Sequence, residues 1–298
     1  MQSVWVPEIL LLIVIGAVLS AFHLFRAYQN KKKPRSPLGC DILRGPGHTY
    51  LAQIQDLNET SQTCQIALFT IPILAFATHV SYSYFARAPE SWLRILASIG
   101  TALLFMVGYT WKLMRSVNDR RACRQAVEGE VAVGQELSLL MAEGYRVFHD
   151  FPAGAFKIDH IVIGPTGVMA VETKTHSRNR RADAVLTYDG RMLHYPKFSD
   201  YETIDRAKMK ADWLSQWLTE TLDEEVYARA MVAVPGWVVK RTSADGIPVV
   251  NPTQFANLFK YIKPRPMSQD LMLHMVRLIE GRCRDVAPGA EDRYIADE

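Results

Sequence analysis

Cysteine is scarce in this 298-residue chain and what there is lies scattered. Cys40, Cys64, Cys123 and Cys283 form no CxxC pair, so neither a zinc site nor a disulfide framework is signalled, and reduced cytosolic thiols are the plain reading. No GxxxxGKS phosphate loop and no GxGxxG occurs, which leaves nucleotide-driven transport and dinucleotide chemistry without support. No Ser-His-Asp arrangement can be inferred either. Net charge is small: 34 Lys and Arg against 31 Asp and Glu leave +3, too little by itself to argue for a nucleic-acid partner. Long uncharged runs are absent after residue 115, where charge becomes mixed and the periodicity is that of a soluble α/β domain.

Before that point such runs dominate. Residues 4–25, VWVPEILLLIVIGAVLSAFHLF, match the roughly 20 apolar residues needed to cross a bilayer. They lack an early Lys or Arg and are followed by NKKKPR, the order expected of an uncleaved anchor with its N-terminus outside. Runs at about 65–85 and 92–113, separated by ARAPES, read as a helical hairpin, with Trp92, Tyr109 and Trp111 near the ends of the second run. Lys31, Lys32, Lys33 and Arg35 follow the first run, and Arg115, Arg120, Arg121 and Arg124 the third. The positive-inside rule then places both stretches, and everything after residue 115, in the cytoplasm. Pro72 and His79 could mark a transport path, but three helices without mid-span charge make anchoring the simpler account. The expectation is a membrane anchor over 1–118 with a cytoplasmic loop at 26–64, and a cytoplasmic domain over 119–298. The localisation implied is the inner membrane, multi-pass.

In the second portion, Val127, Val133, Leu137, Leu140 and Met141 make a helical stripe that Gly144 ends before the strand-like YRVFHD. Glu130 lies at the margin of that stripe, either as a functional carboxylate or as a helix-start glutamate favoured by the dipole. The next stretch, IDHIVIGPTGVMAVETK over 158–174, has the alternation of two strands around the turn GPTG. If Ile163 faces Val168, Asp159 faces Glu172, with β-carbons about 5 Å apart, and Lys174 follows on the same face. Val162, Met169 and Val171 then point into a core. Like charges set opposite one another are destabilising and need a reason. An exposed face partly neutralised by Lys157 is one. A shared proton is another, but that would exclude an adjacent lysine. A divalent cation is the third and suits all three charged residues: Mg2+ is commonly held by one or two carboxylates plus a substrate phosphate, and a lysine beside it can orient water.

Gly129-Glu130 on a helix followed by IDHIVIGPTGVMAVETK resembles the nuclease-related domain, a branch of the PD-(D/E)XK nuclease superfamily, over roughly 125–260. The resemblance implies a restriction-endonuclease-like mixed sheet flanked by helices, in αβββαβ order, beside the transmembrane helices. It implies hydrolysis of phosphodiesters in DNA, with RNA as the other candidate. Asp159 and Glu172 match the motif's metal-binding acids, Glu130 the first-helix glutamate that completes the site, and Lys174 the lysine that activates water; Mg2+ or Mn2+ is the implied cofactor. Arg206, before Ala207, stands where many members carry glutamine; a guanidinium can touch a phosphate but cannot accept a hydrogen bond.

Downstream, Arg178, Arg180 and Arg181 form either a solvated loop or a rest for a phosphate backbone. LTYDGRMLHYP reads as a second hairpin about Asp189-Gly190. A helix from about 202 to 222 buries Ile204, Ala207, Ala211, Leu214 and Leu218 and shows Arg206, Lys208 and Lys210, cations that could contact nucleic acid. ARAMVAVPGWVVK reads as one strand, and a short strand enters a helix at Asn251-Pro252. The partners expected are nucleic acid and the bilayer. A catalytically inactive binding module tethered to the membrane is the alternative.

Overall fold

The computed structural model describes residues 40–86, 91–177, 184–265 and 267–286. The expected first span at 4–25, together with Arg178, Arg180 and Arg181, lies outside them. The chain divides into two compact units, one built on residues 56–120 and the other on residues 40–55 and 121–286.

The first unit is a helical hairpin from α1 (His48–Ala86) and α2 (Trp92–Leu139), each of which also has residues in the second unit. Ser61 Oγ lies 3.0 Å from Ser116 Oγ, Arg120 donates to Asn58 Oδ1 at 2.9 Å, and Arg94 sits 5.5 Å over the Tyr82 ring, which fixes an antiparallel register. Large apolar side chains face outward from the pair, among them Phe69, Phe76, Leu93 and Leu104. Both helices are long and apolar enough to cross a membrane by length and composition. Two boundaries differ from expectation. The loop expected over 26–64 is helical from His48, because no proline or glycine follows Gly47 until Pro72. The run at 92–113 and the helix from Arg120 are one helix, since the intervening residues contain neither breaker.

The second unit is an α/β domain. Its main sheet has the order β10-β8-β4-β3-β2, with β2 (Arg146–Pro152), β3 (Lys157–Gly164) and β4 (Gly167–Thr173) antiparallel. After β4 come β5 (Val185–Tyr188), β6 (Leu193–His194), β7 (Ser199–Asp200) and α3 (Glu202–Leu222). β8 (Ala228–Ala233) then returns parallel to β4, and β10 (Val249–Val250) lies parallel to β8, so the sheet is mixed. Helices cover both faces. Ile161, Ile163, Val168 and Ala170 pack against Ala211, Leu214 and Leu218 of α3 and against Met275 and Ile279 of α5 (Gln269–Cys283). On the other face Val162, Met169 and Val171 meet Val133 and Leu137 of α2, Leu140 of the turn that follows it, and Phe255 and Phe259 of α4 (Phe255–Tyr261). The central strands β3 and β4 are buried on both sides, the arrangement a sheet with parallel crossovers needs.

A second sheet, β7-β6-β5-β9, contains the Asp189-Gly190 hairpin, whose turn is closed by Arg191 and Met192 N–H groups on Asp189 Oδ1. ARAMVAVPGWVVK is two strands, not one. Pro235-Gly236, with Gly236 at φ +78°, turns the chain out of β8, and β9 (Val238–Arg241) pairs parallel with β5 in the other sheet. Before α1, β1 (Ile42–Leu43) pairs with β11 (Arg284–Val286), which ties residues 40–55 to this unit.

Candidate active site

The β3–β4 register is the expected one: His160 faces Val171, Val162 faces Met169 and Ile163 faces Val168. It brings Asp159 and Glu172, both buried, to neighbouring positions at the open end of the hairpin. Asp159 Oδ2 accepts the Thr173 N–H at 2.8 Å. Strict alternation slips here. Ile158 and Ile161 enter the same core cluster although three residues apart, and the β2 residue beside them, Asp150, has φ +51°.

One positive charge touches both carboxylates. Lys210 donates from Nζ to Glu172 Oε2, and the same nitrogen lies 3.7 Å from Asp159 Oδ1. Lys210 is therefore not among the cations α3 shows to solvent, as its sequence position suggested; it is buried within the stripe of Ala207, Ala211 and Leu214. A second ammonium closes the other side. Lys157 Nζ donates to Glu130 Oε1 at 2.6 Å and to Asp150 Oδ1 at 2.7 Å, lies 3.8 Å from Asp159 Oδ1, and sits 4.2 Å over the Tyr50 ring. The neutralising role weighed for Lys157 is thus present, although the carboxylates are buried and not on an exposed face.

Glu130 is in the interior of α2, 2% exposed, so the helix-start reading does not hold. Its other oxygen accepts the N–H of Gly47 at 2.9 Å, and Gly47 has φ +77°, a conformation glycine adopts without strain. Gly129 lets α2 approach the chain after β4: a β-carbon there would lie 1.7 Å from Thr175 Oγ1. Residues 40–55 also hold Asp150, through Thr49 Oγ1 at 2.5 Å and Arg44, which bridges to Asp285.

Lys174 lines the same cavity, yet its ammonium is paired with Asp200 Oδ2 at 3.0 Å and not with the acids of β3 and β4. Arg206, half exposed, has Nε 4.0 Å from Glu172 Oε1 and lines the cavity too. Lys208 is exposed and does not line it. Beneath the acids, His160 and His149 share a 2.8 Å Nδ1–Nδ1 contact, and His160 Nε2 reaches Thr173 Oγ1 at 3.1 Å. With both ring nitrogens engaged, His160 is a satisfied structural histidine.

Burial and the neighbouring Asp159 push Glu130 up to about 8 and Glu172 up to about 7. Burial alone would lower Lys157, but Asp159, Glu130 and Asp150 outweigh it and hold the ammonium above the ordinary lysine value. Burial would raise Asp150, and Lys157 and Thr49 reverse that. Burial lowers His149 to about 4 and His160 well below its usual value, so both rings are neutral at pH 7.

The cavity measures about 550 Å³ and is lined by acids and cations together: Glu130, Asp159 and Glu172 with Lys157, Lys174 and Lys210. Among the described residues no group of three or more His, Cys, Asp or Glu side chains is arranged to hold a metal ion. Both oxygens of Glu130 are engaged, one by Lys157 and the other by the Gly47 N–H. Asp159 and Glu172 do fit a hard cation that keeps several waters, because one ammonium already reaches both.

Helical spacing could have found Lys210, which falls three residues after Ala207 and four before Leu214. Nothing local pointed to Asp150, Asp200, Arg44 or Tyr50, which reach the site through tertiary structure. No curated protein and no solved structure matches the chain. Residues 125–235, which contain Glu130, Asp159, Glu172, Lys174 and Arg206, match the family model described as the nuclease-related domain.

Proposed function

We propose that the protein is a membrane-anchored, Mg2+- or Mn2+-dependent nuclease that hydrolyses phosphodiester bonds in DNA, or in RNA, with a restriction-endonuclease-like catalytic domain in the cytoplasm. The observation that carries this reading is the convergence of Asp159 and Glu172 on one cationic nitrogen inside a cavity also lined by Lys174 and Arg206. Asp159 and Glu172 are the residues that would hold the metal. When bound, the cation supplies Lewis-acid stabilisation of charge on the phosphate. The remaining work falls to the chain itself. Lys174, fixed by Asp200, offers its ammonium to the phosphate and orients the attacking water. Arg206, at the half-exposed rim, meets a non-bridging oxygen or the flanking backbone. Arg178, Arg180, Arg181 and Lys208 extend the basic track by their positions in sequence. Glu130 supports the site through Lys157 and is not a ligand.

The outward apolar faces of α1 and α2 support anchoring, since exposed patches of that extent are rare on soluble monomers. With residues 4–25 as a further span, the N-terminus lies outside the inner membrane and the catalytic domain inside.

A second reading, a tethered module that binds nucleic acid without cutting it, is favoured by the pairing of Lys174 with Asp200 and by arginine at position 206. Incubating the purified full-length chain with single- and double-stranded DNA and RNA separates the two. Cleavage that needs Mg2+ or Mn2+, stops with EDTA and is lost in Asp159→Ala and Lys174→Ala supports the enzyme. Retention of nucleic acid without cleavage, indifferent to metal, supports the module.

A further inference from the structure

Lysine is seldom buried, because its ammonium loses hydration that only close partners can replace. Lys210 is 8% exposed and projects from the apolar stripe of α3 directly onto Glu172 and Asp159. Those carboxylates would repel each other across the β3–β4 ladder if left alone. Counted over the whole cluster, four acids meet four bases: Glu130, Asp150, Asp159 and Glu172 against Lys157, Lys210, Arg44 on Asp150 and Arg206 near Glu172. The site therefore presents no unbalanced negative charge to an arriving cation.

We infer that Lys210 is a resident counter-ion and positioning residue: its ammonium holds Asp159 and Glu172 together and competes with a divalent cation for the same oxygens. The inference rests on the reading of those two acids as the cation site. Occupancy by a metal then requires the ammonium to withdraw, and the flexible four-carbon stem of lysine allows its head to leave while the stem stays packed. Lys157 lies about as near Asp159, at 3.8 Å, but its short contacts are to Glu130 and Asp150, whereas that of Lys210 is to Glu172.

Mn2+ binding to the purified full-length chain in detergent, followed by the loss of the free-ion electron paramagnetic resonance signal, tests this directly. Lys210→Met and Lys210→Gln should bind Mn2+ about tenfold more tightly than wild type or better, as expected when a like charge leaves the site. Lys210→Gln keeps a donor for Glu172 and guards against a folding defect in Lys210→Met. Both variants should melt lower than wild type in EDTA and gain more in melting temperature from Mn2+ than wild type does. Equal or weaker affinity in both variants, no binding by any of the three proteins, or a melting defect that Mn2+ does not relieve would each overturn the inference. The nuclease reading is judged separately. Wild-type cleavage with unchanged variant affinity removes only the role of Lys210, whereas tighter variant binding with no cleavage by any protein removes only the enzyme.

Discussion

Lys157 shows how much of this site depends on a single side chain. It bridges Glu130 of α2, Asp150 of β2 and, more distantly, Asp159 of β3, all buried, so its removal takes one ammonium from three acids, of which Asp150 keeps Arg44 and Asp159 keeps Lys210. Breaking a buried pair by deleting one partner costs about 3–5 kcal/mol, and Lys157→Met should lower the melting temperature of the full chain accordingly. An unchanged melt would mean that the cluster is solvated. The same acids set a pH dependence. In EDTA, Glu130 and Glu172 hold protons up to about 8 and about 7 in the native state, against an ordinary value of 4.5, so the native state binds more protons and stability falls as pH rises through that window. His149 acts oppositely. Lowered to about 4 from 6.5, it makes stability rise with pH until 6.5 and adds nothing above that. Melting temperature should therefore decline between pH 6.5 and 8.5, and a flat or rising profile would contradict the assignment.

Among the elements, the β3–β4 hairpin was the most legible from sequence, because its register follows from one turn and one alternation. GPTG fixed Ile163 opposite Val168, and Asp159 and Glu172 followed. α3 was legible for the same reason, its stripe of Ile204, Ala207, Ala211, Leu214 and Leu218 being buried as the period requires. Lys210 falls within that stripe, and its burial follows from position although its charge alone suggests a solvent-facing side chain. Residues 40–55 were not legible at all: their partners Glu130, Asp150 and Asp285 are some 80 to 240 residues away, and no local pattern announces such contacts. The division of ARAMVAVPGWVVK between two sheets is marked only by Pro235-Gly236, set within a run of good strand formers that otherwise reads as continuous. The approach of α2 to the chain after β4 gives a test at this scale. Gly129→Ala forces a methyl onto Thr175, and overpacking of this kind costs about 1–3 kcal/mol. The variant should melt lower and, by displacing α2, weaken the Glu130–Lys157 pair; wild-type stability would show that the helix has room to move.

At the scale of the whole molecule, the chain joins an apolar helical hairpin to an α/β unit whose acidic residues are already matched by internal bases. Mixed with lipid vesicles and centrifuged through a density gradient, the full-length protein should float with the lipid and remain there through a high-salt wash, because apolar insertion is insensitive to screening. Release by salt would point to a surface attachment through the basic residues. The most direct test of the central claim, that Asp159 and Glu172 act as one cation site, is a double-mutant cycle on the DNA cleavage rate in Mg2+. Asp159→Asn and Glu172→Gln should each reduce the rate by about a hundredfold or more, and the double variant should fall no further, as expected of residues that act as a unit. Single variants that cleave at the wild-type rate, or losses that multiply in the double variant, would contradict it.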